Sequence, residues 1–350
     1  MTRHISKFHP AHPVVAPFAT AGMLALALTL SGCGGDGATS SSSSSSTSSS
    51  SSSSGGTTTT AKLSDLMVSS ELLTPVTTKS CTLSDGTSST CYSFQVDEMP
   101  NAHSIGPWCP TSDAAPGGYF VDDVANLKNP SGKDEEVQVT VAWLKTLDSR
   151  LGWSIVNADG SVNITTDAEL DKIATQEVNN WTYAQAETSG IVNHCIQAAP
   201  TAKTMTIEIP ATPKVASSNT AVTSLPGAGI ALDGILLFPP EPVARITAFR
   251  NLAPLDSYGG HTGFAYDYHY HRARDVPGVP DAKTKIYGFM FDGFPVYGAT
   301  EPDGSAAGTL DNCQGHSTTA LGYHYHSSNS FPYTTVCVTG AVASSMKRTG

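Results

Sequence analysis

The sequence predicts a mostly β fold, a β-rich α+β chain with one short helix, and three observations carry that prediction. Short runs of alternating apolar residues recur between Gly- and Pro-rich turns, whereas only one stretch has helical spacing. Six cysteines beyond residue 33 suit a disulfide-stabilised exported chain. Near the C-terminus one pattern appears twice. Leu255-Asp256 leads through Gly260-His261 to Tyr268-His269-Tyr270-His271, and Leu310-Asp311 leads through Gly315-His316 to Tyr323-His324-Tyr325-His326. Matching positions are offset by 55 residues, and nine of the seventeen aligned positions are identical. The C-terminal half is therefore expected to be internally duplicated.

The chain opens with a segment that reads as a bacterial lipoprotein signal, residues 1–33 of 350. Arg3 and Lys7 supply its positive end, and Phe18 to Leu30 its apolar run, too short for a lasting transmembrane helix. Leu30-Ser31-Gly32-Cys33 has the spacing of a lipobox, with Cys33 as the acylated residue. Residues 34–61 are then nearly all Ser, Thr and Gly. Such a tract buries nothing and cannot offset the entropy of ordering, so it is expected to be a disordered linker. A coil of this length spans roughly 30 Å, enough to lift a domain off a membrane. Gly34 stands where an Asp would signal inner-membrane retention, so in a Gram-negative host an outer-membrane anchor is favoured. The expected location is the cell envelope, extracytoplasmic and lipid-anchored.

Removing the signal leaves 17 basic residues against 30 acidic ones, because Arg3 and Lys7 go and no carboxylate does. That balance argues against nucleic acid as a partner, since phosphate binding needs clustered cations. The cysteines are expected to pair by neighbourhood, Cys81 with Cys91, Cys109 with Cys195, and Cys313 with Cys337. A loop of about 25 residues closed in this way is stabilised by roughly 3 kcal/mol on the chain-entropy model. None has the Cys-x-x-Cys spacing of a zinc ribbon.

From residue 62 to 345 the composition is globular. Leu63 to Val76 reads as a lead-in. Cys81 to Cys91 encloses Asp85-Gly86, a turn stapled at its base. Strands are expected at Tyr92 to Val96, at Val137, Val139, Val141 and Trp143, and at Met205, Ile207 and Ile209. The single helix starts at a Thr166/Glu169 capping box. It carries Leu170, Ile173, Ala174, Val178 and Trp181 on one face, with Gly190 beyond its end. Pro210 to Pro226 reads as a polar loop.

The repeat extends upstream of the histidines. Gly229-Ile230-Ala231-Leu232-Asp233-Gly234 ends in Leu237-Phe238, and Gly288-Phe289-Met290-Phe291-Asp292-Gly293 ends in Val296-Tyr297, an offset of 59. Each unit, 229–271 and 288–326, is thus a strand, an Asp-Gly turn, a second strand, an irregular loop and a Tyr-His-Tyr-His strand.

Side chains alternate faces along a strand. His269 and His271 therefore project together, as do His324 and His326, and the tyrosines project the opposite way. His261 and His316 arrive from the preceding loops, giving His-x7-His-x-His twice. Neutral imidazoles near pH 7 suit zinc, copper, nickel and iron rather than calcium or magnesium. The competing reading is a Tyr-His hydrogen-bond network under a sheet. Two sites of three and one composite site are both compatible with the spacing. Asp256 and Asp311 are either outer partners of the imidazoles or turn residues. Asp233 and Asp292 are turn-formers, with Asp292 also able to complete a three-His site. Asp292, Asp311 or a motif tyrosine is the candidate for proton handling if the chain is an enzyme. The motif tyrosines are expected in the core, and the isolated His103 and His194 in structural roles. No Gly-x-Ser-x-Gly, phosphate loop or His-Glu-x-x-His is present.

Tyr268–His271, Tyr323–His326, the Gly-His of each loop and Asp292-Gly293-Phe294-Pro295-Val296-Tyr297-Gly298 resemble the YHYH domain family of exported proteins. The resemblance is strongest over 229–340, and Met99-Pro100-Asn101-Ala102-His103 is similar to a Pro-Asp-His segment near the family's start. Cys313 stands where the first copy has Tyr258, so the halves differ chemically. The resemblance implies metal binding by analogy and no particular reaction. The leading expectation is a membrane-tethered protein that binds copper or zinc through the six histidines. The alternatives are a metal-dependent hydrolase or oxidase with an open coordination position, and an extracellular binding or adhesion module whose histidines brace loops.

Overall fold

The structure is a computed structural model and describes residues 62–123, 126–174, 181–240, 248–263, 265–272, 285–328 and 333–347. The signal with Cys33 and the linker of 34–61 lie outside the described residues. Helix α1 (Leu63–Leu66) opens the described chain and buries Leu63, so the lead-in docks onto the core. Strands β1 (Thr77–Thr82) and β2 (Ser88–Val96) form an antiparallel hairpin stapled by the Cys81–Cys91 disulfide. Asp85 Oδ1 accepts from the Thr87 amide at 2.9 Å, and Gly86 takes φ +86° to close the turn.

Strand β3 (Tyr119–Asp122) pairs with β4 (Glu135–Gln138), and there the expected strand through Trp143 stops. Thr140 turns the chain into helix α2 (Val141–Leu151) by accepting from the Trp143 amide at 3.0 Å. Val141 and Trp143 continue the strand-like alternation of Val137 and Val139, whereas Val141, Leu144 and Leu147 recur at helical intervals and are the residues the helix buries. The Thr140 cap, with Gly152 in the left-handed region at the far end, decides for helix. Helix α3 (Asp167–Ala174) starts at the expected capping box, with the Thr166 amide donating to Glu169 at 2.8 Å and Leu170 fully buried. Val178 lies outside the described residues, and Trp181 precedes helix α4 (Tyr183–Thr188), which has its own Thr182/Gln185 capping box. The described residues thus hold four α-helices, not one. The Cys109–Cys195 disulfide joins the second of two larger buried clusters, beside Leu144, Leu147 and Trp153.

Strand β5 (Met205–Pro210) adds to β2, placing Ile207 and Ile209 against Phe94 in the main core. The expected loop of 210–226 contains a strand instead, β6 (Val215–Ala221). Its Ser, Asn and Thr side chains hide it from an apolar pattern, and it forms by pairing with the last strand of the fold.

The remaining strands build one eight-stranded sheet. They are β7 (Gly229–Ala231), β8 (Leu236–Leu237), β9 (Gly260–Thr262), β10 (Tyr268–Tyr270), β11 (Ile286–Met290), β12 (Pro295–Tyr297), β13 (Gly315–Thr318) and β14 (Gly322–His326). Their order is β13-β14-β12-β11-β7-β8-β10-β9, so four strands of one repeat unit mirror four of the other about the β11/β7 pair. At that pair Ile230 lies opposite Phe289, its own counterpart in the 59-residue offset. Five strand spacings separate β10 from β14, roughly 24 Å at about 4.8 Å each. The last strand, β15 (Cys337–Gly340), pairs with β6 and is held to the β13 approach by the Cys313–Cys337 disulfide.

The tyrosines of both motifs turn inward, as alternation requires. Tyr268, Tyr270 and Tyr325 are fully buried. Each hydroxyl finds a carboxylate, and the two halves do it alike. Tyr268 donates to Asp256 and Tyr323 to Asp311, both at 2.8 Å. Tyr270 donates to Asp233 at 2.7 Å and Tyr325 to Asp292 at 2.5 Å. Asp256 also accepts from the amides of Tyr258 and Gly260, and Asp311 from those of Cys313 and Gly315, so these two shape their turns. Different segments complete the two faces. His103 stacks on Tyr258 at 3.8 Å and bonds Tyr270 in the first half, while the Thr339 amide donates to Tyr325 in the second.

Two expectations follow. A Cβ at Gly315 would stand 2.1 Å from the Tyr323 hydroxyl, so Gly315→Ala should lower the denaturant-derived stability by about 1–3 kcal/mol, and no loss would contradict this packing. Burial raises the Asp292 carboxyl to about 6, opposed by the bonds from Tyr325 and Gly340. Between that value and the ordinary 3.8, the folded chain binds a proton that the unfolded chain does not, so stability from this residue rises as pH falls through the window. From pH 7.5 to 4.5, wild type should gain roughly 2 kcal/mol relative to Asp292→Asn in urea titrations. A constant difference across that range would contradict the assignment.

Candidate metal centres

Each histidine triplet is the product of a hairpin register. Strand β9 pairs antiparallel with β10 so that His261 lies directly opposite His269, and β13 pairs with β14 so that His316 lies opposite His324. Residues directly opposite one another share a face, and the histidine two positions on joins them. The His271 amide donates to the Gly259 carbonyl and the His326 amide to that of Gln314, both from positive-φ residues that end the strand alike.

The ring nitrogens converge. In the first centre His271 Nε2 lies 3.1 Å from His269 Nε2 and 3.0 Å from His261 Nε2. In the second His316 Nε2 lies 3.0 Å from His324 Nε2 and 3.2 Å from His326 Nε2. Two nitrogens sharing a tetrahedral zinc at about 2.0 Å stand roughly 3.3 Å apart, so the spacing matches a metal-sized gap. Glu301 completes the second set, with Oε1 at 2.9 Å from His316 Nε2 and Oε2 at 3.4 Å from His324 Nε2. These seven residues form the two groups among the described residues whose donor atoms are disposed to hold an ion.

The outer nitrogens explain why the inner ones are lone pairs. His271 Nδ1 faces the Pro239 carbonyl at 2.6 Å, and its counterpart His326 faces that of Gly298 at 2.8 Å. His324 Nδ1 faces the Gly322 carbonyl at 2.9 Å, and His261 is bonded to that of Pro254. A carbonyl only accepts, so the Nδ1 of His271, His324 and His326 carries the proton, and Nε2 is left to present a lone pair. His269 differs. Its Nδ1 is 3.3 Å from Asp267 Oδ2, and its ring stacks on Phe238 at 3.8 Å between centroids.

Burial disfavours the charged form of His261, His271 and His326. It holds His261 well below the ordinary imidazole value, with the neighbouring His271 and His269 adding to the effect, and it takes His271 down to about 3. His326 is lowered for the same main reason. The first centre is buried throughout, whereas the His316 side chain of the second is 17 % exposed.

All six expected histidines fall into these two groups, as two separate sets of three. Asp292 and Asp311 do not join them. Both sit on the tyrosine side of their strands, and Asp292 is fully enclosed by Tyr325, Phe294 and Gly340. Asp256 likewise bonds tyrosine and turn amides rather than imidazole. His194 stands 3.7 Å from Glu169 at the start of α3, away from both centres. Glu301 was not singled out by sequence reasoning, because it lies beyond β12 in a loop that returns to the site. The signal existed: Glu-Pro follows the second strand of both repeat units, at Glu241-Pro242 and Glu301-Pro302. Glu241 lies outside the described residues.

Residues 206–307 match the family model described as YHYH protein. The match spans the first repeat unit whole and ends before the second unit's Gly-His loop. No curated protein and no solved structure matches the chain. The Tyr-His-Tyr-His strand that carries the first histidine set lies within the segment that matches the YHYH family model.

Proposed function

We propose that this is a membrane-tethered, extracytoplasmic protein that captures transition-metal ions, copper or zinc, at two centres. One observation carries the reading: the Nε2 atoms of each triplet converge on a common point, and in His271, His324 and His326 the Nδ1 proton is committed to a carbonyl, which leaves Nε2 as a lone pair. Lone pairs about 3 Å apart repel, and a cation between them turns that cost into binding. A structural Tyr-His network would pair those nitrogens with donors. Asp292 and Asp311, the carboxylates that would serve a hydrolase or oxidase, bond tyrosines on the opposite face, which favours capture over catalysis. The lipobox at Cys33 and the following Ser/Thr tract support tethering at the envelope. Among the described residues no helix is long and apolar enough to cross a membrane, so the tether would be the lipid.

Elemental analysis of the protein purified from its native envelope should find two transition-metal ions per chain, one for each group of donors. The His269→Ala/His271→Ala double change should remove one of them, and unchanged metal content would sink the reading. For the tether, Cys33→Ala should move the protein from the membrane pellet to the soluble extracytoplasmic fraction and abolish incorporation of labelled palmitate. Retention in the pellet with no label in wild type would refute lipid anchoring.

A further inference from the structure

The two centres place their carboxylates differently. In the first, Asp267 stands behind His269, at Nδ1, on the far side of the ring from the convergent nitrogens. In the second, the position 55 residues on is Gly322, whose carbonyl takes that role for His324. There the carboxylate has moved to the inner side, as Glu301 among the Nε2 atoms. Among the described residues no carboxylate reaches the Nε2 atoms of the first centre.

Surroundings differ in the same sense. The first centre is walled by Phe238, stacked 14° from parallel on His269, and all three of its rings are buried. The second is open to solvent at His316. Burying an ion costs more as its net charge rises, steeply so in an apolar surround. Three neutral imidazoles leave a divalent ion with both charges uncompensated, but a monovalent ion with only one. Glu301 removes one charge from a divalent ion, and a carboxylate oxygen is a harder ligand than imidazole.

Resting on the metal-capture reading, we infer that the centres are specialised by charge. The first takes monovalent copper, three-coordinate on His261, His269 and His271. The second takes a divalent ion of the zinc type on His316, His324, His326 and Glu301. The chain can then hold one ion of each kind at once.

Anaerobic competition titrations test this on the full chain, with Cu(I) added as its acetonitrile complex so that the disulfides stay oxidised. Bathocuproine serves as the competitor for Cu(I) and a chromophoric zinc chelator for Zn(II). His269→Gln should weaken Cu(I) binding by on the order of tenfold or more and leave zinc within about threefold; Glu301→Gln should do the reverse. Both are near-isosteric, and intact far-UV circular dichroism identifies folded samples. If His269→Gln does not fold, His261→Gln replaces it with the same expectation. Parallel loss of both ions in either variant would overturn the inference, as would Cu(I) weakened by Glu301→Gln. Cu(I) weakened by Glu241→Gln would overturn it too, because the first centre would then have a carboxylate of its own. A wild-type chain that takes up neither ion defeats the metal-capture reading itself, a result distinct from two bound ions that fail to sort.

Discussion

The arrangement depends on one constraint, the hydrogen bond from an imidazole Nδ1 to a backbone carbonyl. It fixes the tautomer and turns the ring so that Nε2 points inward as a lone pair. The carbonyls of Pro239 and Gly298 are equivalent in the two units, and each lies within two residues of the end of the second strand. Because those strands pair parallel to the Tyr-His-Tyr-His strands, the sheet itself supplies the orienting oxygen. Ligand geometry is thus written into backbone pairing rather than into flexible side chains, which limits the reorganisation needed when an ion arrives.

The opposite face secures that pairing. Tyrosines alternating with the histidines bury their rings and donate to four aspartates, two in Asp-Gly turns and two in the Leu-Asp loops. Each aspartate therefore ties a turn to the strand that carries the ligands. Burial raises Asp233 and Asp292 to about 6, with the tyrosine bonds opposing the rise, so the network balances desolvation against hydrogen bonding. Two different covers close these faces, a histidine stack on Tyr258 and a disulfide-held strand beside Cys313. The residue that differs between the copies, Tyr258 against Cys313, marks where their surroundings diverge.

Much of this was legible because strand alternation is a local rule. His269, His271, His324 and His326 had to share a face, and their tyrosines had to oppose them, whatever the tertiary structure. The three disulfides also join the cysteines nearest in the expected pattern. Other features depended on distant partners. Glu301 reaches its histidines through a loop return that strand alternation does not announce, and only the repeated Glu-Pro marks it in the sequence. Strand β6 exists because β15 pairs with it, and its polar side chains gave no apolar signal. Val141 and Trp143 fitted a strand as well as a helix until the Thr140 cap chose. Asp256 and Asp311 had two chemically sound roles, and only the position of the tyrosine hydroxyls decided between them.

The central claim is that each set of imidazoles gathers around one cation. X-ray absorption at the metal edges of the purified chain, combined with anomalous diffraction, tests it most directly. The account predicts two ions roughly 24 Å apart across the sheet, each with three imidazole nitrogens at about 2.0 Å. Ions bound elsewhere, or imidazole-free coordination shells, would contradict it.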